Sequence, residues 1–235
     1  MQLNETSSDL SSGRLLQRSL LPQSLPVYPG LDIAAEVWTA VDLGGDYYQF
    51  LEQSGTLAVA IADSSGKSVA GAIHAALFKG QLDAYGQQGR LQNPTSMLNS
   101  LNQLLCKSGT DDAVALAYGA LDLVNYELHL GNAGIPGPLI YRAETNTCEE
   151  VVNPAIALGR IDSAVYKAIK RSLNEGDVVV FFSDGLFEAT NPSGDEFGGS
   201  DGDISPLRKT VIQLAPYSAI EILQGLKTTL DKFSE

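Results

Sequence analysis

A chain of 235 residues with 44% hydrophobic content is long enough to bury a real core. Fifteen lysines and arginines against twenty-eight aspartates and glutamates leave a formal charge of −13, which repels nucleic acid and anionic membrane surfaces and suits a protein that concentrates cations. The two cysteines, Cys106 and Cys148, form neither a C-x-x-C pair nor a disulfide framework, so no zinc site is expected and the compartment reads as a reducing cytoplasm.

The opening MQLNETSSDLSSGRLL lacks the basic start and apolar stretch of a signal peptide. No later run approaches about 18 apolar residues, so neither export by that route nor membrane insertion is expected. Leu10, Leu15, Leu16, Leu20 and Leu21 trace a short amphipathic helix over 10–21, which the three prolines of LPQSLPVYPG stop. Residues 1–25 therefore read as a linker helix with a proline-rich entry, and 26–235 as one domain. Strand-like runs follow at LDIAAEVW, DYYQFLE and TLAVAIA, separated by the turn residues of DLGG and QSG. The period then changes: Val69, Ala72, Ile73, Ala76 and Leu77 make a helical stripe, and a second helix at about 95–106 carries Leu98, Leu101, Leu104 and Leu105 toward the core.

Strands return at AVALAYGAL, YELHL, PLIYR, YKAIKR and DVVVFF, the last two preceded by CEEVVNPAIALG. Two helices close the chain, one opening at Ser205 and Pro206, the other at SAIE, where Ser218 and Glu221 have capping-box spacing. Strands, helix pair, strands, helix pair is the order of an α+β domain with antiparallel sheets flanked by helices, rather than of an alternating parallel fold.

The stretch ADSSGKS ends like a phosphate-binding P-loop, but the glycine that such a loop needs five positions before Gly66 is Ile61, inside a strand-like run. ATP binding is thus not expected, and Asp63 is what needs explaining. Asp46 begins a strand after LGG, Asp63 ends TLAVAIA, and Asp184 follows DVVVFFS just before Gly185. Brought together, three carboxylates would repel one another unless a divalent cation offset their charge, and an all-oxygen set suits Mg²⁺ or Mn²⁺. Each aspartate also has a plain structural reading as a turn residue or helix N-cap, and spacing does not decide between the two. His74 and His129 read as solvent-facing, Ser183 lacks the Gly-x-Ser-x-Gly elbow of a serine hydrolase, and Lys67 is either an anion contact or a solvated turn residue.

Four stretches in collinear order, LLPQSLPVYPGLDIAAEVWTAVDLGGDYYQF, IADSSGKSVAGAIHAAL, LGNAGIPGPLIYR and VVVFFSDGLFEATNPSGDEFG, together resemble the SpoIIE-like bacterial subgroup of the metal-dependent (PPM, type 2C) serine/threonine protein phosphatases. The resemblance covers residues 14 to 233 or thereabouts. It implies an α-β-β-α sandwich, two mainly antiparallel sheets flanked by helix pairs, with two Mn²⁺ or Mg²⁺ ions at one edge. Carried over by motif, Asp63 would bridge both ions, Asp46 would hold one with the backbone carbonyl of Ser64, and Asp184 would hold the other. A metal-bridging water would be the nucleophile, so no side chain is assigned that role. The implied partner is a phosphorylated STAS-type anti-sigma-factor antagonist, under an upstream sensor domain reached through the entry helix.

The sequence also departs from that pattern. The family's DVSGKG stands here as DSSGKS and its NAGHNPP as NAGIPGP, so loop contacts at the site are expected to differ. The family generally continues into a further strand bearing an Asp-Asp pair, whereas this sequence stops at LDKFSE with Asp231 inside a helical pattern. The expectation is a missing last strand, incomplete metal binding and weak activity, unless Asp201 or Asp203 takes the vacant place. The alternative function is a catalytically impaired, phosphatase-like adaptor or binding domain.

Overall fold

The computed structural model of the protein describes residues 19–38, 45–53, 55–64, 69–108, 113–197 and 204–235. In chain order the regular elements are β1 (Asp46–Gln53), β2 (Thr56–Ser64), α1 (Val69–Gly86), α2 (Pro94–Lys107), β3 (Val114–Asp122), β4 (Glu127–Ala133) and β5 (Leu139–Arg142). After these come β6 (Thr147–Glu150), β7 (Ile169–Ser172), β8 (Val178–Val180), α3 (Asp184–Phe187), α4 (Ser205–Leu214) and α5 (Ala219–Ser234). The content is α+β, as expected, with two antiparallel sheets. Among the described residues no helix is long and apolar enough to cross a membrane. Most of the expected entry helix, Lys67, Asp201 and Asp203 lie outside the described residues.

The chain divides into two compact units. The first takes the described residues of Met1–Ser24, Val37–Ile135 and Asn153–Ser172, and the second Leu25–Glu36, Pro136–Val152 and Leu173–Glu235. In the first, five strands run in the spatial order β1-β2-β3-β4-β7. Period-two alternation puts Tyr47, Gln49 and Leu51 of β1 on one face with their partners Ala62, Ala60 and Ala58 of β2, and all six are buried. The alanines leave room for the bulky stripe Phe78, Leu82 and Tyr85 of α1, which joins them in one core. Tyr47 hydrogen-bonds Gln49, and Gln49 hydrogen-bonds Asp83 of α1, so these buried polar groups of β1 are satisfied.

Helix α2 starts at an Asn93 cap, whose side chain accepts the Ser96 N–H at 2.9 Å, with Pro94 in the first turn. It lies close on β4: a Cβ at Gly131 would come within 2.6 Å of Leu98 Cδ1 and 2.9 Å of Pro94 Cβ. Buried Asn102 then fixes the chain returning beside the helix, its amide donating to the Ile161 carbonyl at 2.9 Å while its oxygen accepts the Gly159 N–H at 2.9 Å. Leu20 and Leu21 rest half-buried on this core.

The second unit has the three-stranded sheet β6-β5-β8, with α4 against β6 and β5 and α5 against α4. Leu207, Val211, Ile222 and Leu226 are its buried helical positions. The capping box expected from Ser218 and Glu221 is formed. At the same helix start, Ala219 N–H donates to the Asp32 carboxylate at 2.7 Å.

Four details differ from the sequence reading. LDIAAEVW forms no strand; its Asp32 is tied to the start of α5 instead of to a sheet. Strand β6 and the one-turn helix α3 were not anticipated, both being too short for a period to show. On α1, Leu77 is 62% exposed, because the face that turns inward carries the larger residues Phe78, Leu82 and Tyr85. On α2, Leu104 is 49% exposed, while Met97 and Asn102 take buried positions.

Candidate metal centre

The β1–β2 register sets Asp46 directly opposite Asp63. Residues opposed across an antiparallel pair project to the same face with Cβ atoms about 4.5–5.5 Å apart, so the sheet holds two carboxylates side by side. Like charges directly opposite one another destabilise a sheet. Both are half-buried, and the face they occupy is opposite to that covered by α1.

Backbone geometry adds a third oxygen. Gly45 and Ser64 continue the ladder, with the Ser64 N–H and hydroxyl both directed to the Gly45 carbonyl, at 3.2 and 3.3 Å. A Cβ built on Gly45 would collide with the Ser64 carbonyl oxygen and lie 2.9 Å from Asp63 Oδ1 and 3.0 Å from Ser64 Oγ. The carboxylate of Asp63 and the carbonyl of Ser64 thus face one small space that only glycine leaves open. Oxygen donors alone, at least one of them anionic and gathered where a methyl group would otherwise sit, fit a hard divalent cation and not a soft one. Asp63, Asp46 and the Ser64 carbonyl are the residues that would hold it. The role of Gly45 escaped the sequence reading, which took LGG as turn chemistry; a glycine next to a strand-opening aspartate is the signal that could have found it.

Asp184 belongs to the second unit. Strand β8 ends at Val180, and Asp184 opens α3, its carbonyl accepting the Glu188 N–H at 2.9 Å. Burial, together with the charges of Asp184 and Glu196, holds the Glu188 carboxyl above its ordinary value, so this turn is also a place where acids crowd. Among the described residues no group of three or more His, Cys, Asp and Glu side chains is gathered for a metal ion, and the ligand set that the geometry itself supplies is the Asp46–Asp63 end of the hairpin.

His74 has a side chain outside what the structure describes, and His129 takes no part in this end of the hairpin. His129 is not solvent-facing as expected: its side chain is 17% exposed and lies on the α2 side of the sheet, between the Gln92 carbonyl and Glu127. Ser183 precedes α3 without a side-chain cap bond.

Comparison with solved structures gives the class. The fold is that of the PP2C-type phosphatase domains: the SiaA-PP2C domain of Pseudomonas aeruginosa superposes with a TM-score of 0.81 over 100% of this chain and 92% of its own, at 18% identity. RsbX in complex with magnesium matches at a TM-score of 0.59 and 12% identity, over 82% of this chain and 81% of its own.

The chain belongs to the stage II sporulation protein E (SpoIIE) family, whose profile matches residues 53–232. That span includes Asp63, Ser64 and Asp184 and begins after Asp46. Among curated relatives, phosphoserine phosphatase RsbU of Bacillus subtilis (strain 168) is 27% identical over 192 residues, which are 81% of this chain and 56% of RsbU. The chain therefore spans little more than half the length of that relative.

Proposed function

We propose that this domain is a divalent-metal-dependent phosphoserine/phosphothreonine protein phosphatase whose substrate is a small phosphorylated regulatory protein of the STAS type. The observation that carries the reading is the pair of aspartates opposed across β1 and β2, with Gly45 leaving the space before Asp63 and Ser64 open. The name of RsbU as a phosphoserine phosphatase and the magnesium in RsbX support it.

In this reading Asp63 is the central ligand, Asp46 and the Ser64 carbonyl hold the same ion with it, and the family resemblance assigns a second ion to Asp184. Bound there, Mn²⁺ or Mg²⁺ would supply Lewis acidity, lowering the pKa of water and neutralising charge on the phosphoryl group. The chain's own task is positional. The β1–β2 ladder fixes the spacing of two carboxylates, and the bonds from Ser64 to the Gly45 carbonyl fix the direction of the Ser64 carbonyl. No protein nucleophile is required. A chain of net charge −13 offers an anionic phosphopeptide little general attraction, so recognition of the phosphoprotein falls to surface outside the metal site.

The test is hydrolysis of p-nitrophenyl phosphate with Mn²⁺ and with chelator, for this chain and for one extended at its C-terminus. Manganese-dependent turnover is expected. Manganese binding without turnover in either form would leave the adaptor reading in its place, and no binding at all would refute both.

A further inference from the structure

The β1–β2 hairpin has a second chemical end. At the far end of these strands, about 24 Å from Asp46 at ~3.4 Å per residue, a cavity of about 610 Å³ opens in the first unit. Its lining includes Gln53, Arg90, Gln92, Asn93, His129 and Lys170, and no acidic residue. His129 and Lys170 are cross-strand partners on β4 and β7. Their register places them on the sheet face that carries α1 and α2, whereas Asp46 and Asp63 point to the other face.

Three features suit this cavity to an anion. First, Arg90 is exposed and its guanidinium has neither an ion-pair nor a hydrogen-bond partner among the described residues, so its donors are available to a ligand. Second, Glu127 aligns two further lining side chains: its Oε1 takes Lys170 Nζ at 2.7 Å and lies 2.6 Å from His129 Nε2. His129 Nδ1 lies 3.0 Å from the Gln92 carbonyl, so the ring is held between two oxygen atoms and its orientation is fixed. Glu127 and Asp122 are the carboxylates beside His129, but neither lines the cavity, whose lining charges are Arg90 and Lys170, in a protein that is strongly anionic overall.

Third, the wall is kept clear by Gly89, whose φ of +76° disfavours any side chain and whose Cβ would reach within 3.1 Å of Gln53 Nε2. The start of α2 contributes little here, since Pro94 has no N–H and the Ser96 N–H is taken by Asn93.

We infer that this cavity binds a phosphate group, either as free phosphate or as a small phosphate ester, at a site separate from the aspartate pair. A forked guanidinium and an ammonium converging with amide donors suit a dianionic tetrahedral group, and the volume exceeds what phosphate alone would fill.

The test is titration of the full chain with inorganic phosphate and with ribose 5-phosphate in chelator, followed by amide and arginine side-chain NMR shifts. Saturable shifts are expected at Arg90, Gln92 and His129, with Arg90→Gln weakening binding at least fivefold and Arg90→Gln/Lys170→Gln abolishing it. Tighter binding of the ester assigns the rest of the cavity to an organic moiety, and equal binding assigns the site to free phosphate. Shifts confined to the Asp46–Asp63 end, or affinity unchanged in the double variant, would overturn the inference. The readout is independent of phosphatase activity, so failure of the proposed function leaves this test intact.

Discussion

Charges meet across neighbouring strands in both sheets, like charges in one and opposite charges in the other. Between β1 and β2 of the first unit, Asp46 stands opposite Asp63, an arrangement that costs stability. Between β5 and β6 of the second, Arg142 reaches diagonally to Glu149 at 2.8 Å and also to Asp177 at 2.9 Å, whose side chain is only 2% exposed. The second arrangement explains itself: a nearly buried carboxylate receives a guanidinium and the N–H groups of Ala143 and Asn174. For the first, the register shows two like charges placed side by side. In the proposed function, that juxtaposition is where a divalent cation would bind.

The sharpest way to break this contrast is Asp63→Asn. Manganese-dependent hydrolysis should fall at least 100-fold, about 2.7 kcal/mol of transition-state stabilisation. Thermal stability in chelator should hold or rise, because one of two opposed like charges is gone. A melting temperature in chelator well below that of the wild type would show that Asp63 is a structural residue. Gly45→Ala tests the same end by volume instead of charge: the added methyl meets the Ser64 carbonyl and Asp63. The expected cost is about 1–3 kcal/mol of stability, with weakened Mn²⁺ affinity by calorimetry. Unchanged Mn²⁺ affinity in that variant would mean that the Ser64 carbonyl and Asp63 do not share a ligand.

Arg142→Ala should behave in the opposite way. Asp177 would keep its two backbone donors but lose its countercharge, so unfolding by urea should come about 1–2 kcal/mol sooner. The residues of the Asp46–Asp63 pair would be untouched. The same network sets a pH dependence. Burial alone would raise the Asp177 carboxyl, but the N–H groups of Ala143 and Asn174 and the Arg142 guanidinium outweigh it and hold its pKa below 3.8. A carboxyl depressed on folding adds stability that is complete above its unfolded value and is lost as pH falls through the folded one. Acid titration of the wild type should therefore show a loss below about pH 4 that Arg142→Ala reduces. Identical acid profiles would remove Arg142 as a cause.

How much of this the sequence disclosed follows from what each element depends on. Strands β1 and β2 and helices α1 and α2 are long enough for their period to show, and the boundaries expected from DYYQFLE and TLAVAIA fall within a residue or two of those observed. The carboxylate pair was half legible. Each aspartate could be placed at the end of a strand, but register, which makes them opposite, is a tertiary property that no spacing reveals. The motifs carried the rest, since the resemblance supplied the family that the profile match then established. Leu77 and Leu104 were misplaced because both helices carry apolar residues on more than one face, and the face that wins is decided by what lies beneath it. His129 was misread for the same reason. Its alternation with Leu128 and Leu130 put it on the other face of the sheet, and α2 covers that face too.

The smallest expected effect comes from the one late aspartate that the sequence reading considered and set aside. Asp231 lies within α5, as its helical pattern implied, and pairs with Lys227 one turn earlier at 2.7 Å. Both side chains are about half exposed, at 44% and 55%, so water and salt screen the pair and ordering two flexible side chains offsets much of its attraction. An i,i+4 pair of this kind contributes about 0.3–0.5 kcal/mol. Asp231→Ala should thus shift the urea midpoint barely beyond error and leave Mn²⁺ affinity unchanged. This is the reference against which the other two charge sites are read: opposite charges that are exposed do little, opposite charges around a buried carboxylate hold a sheet together, and like charges in register are, in the proposed function, the ligands of a cation. A marked loss of Mn²⁺ binding in Asp231→Ala would put this carboxylate in the metal site, and the division between structural and ligand aspartates drawn from the register would fail.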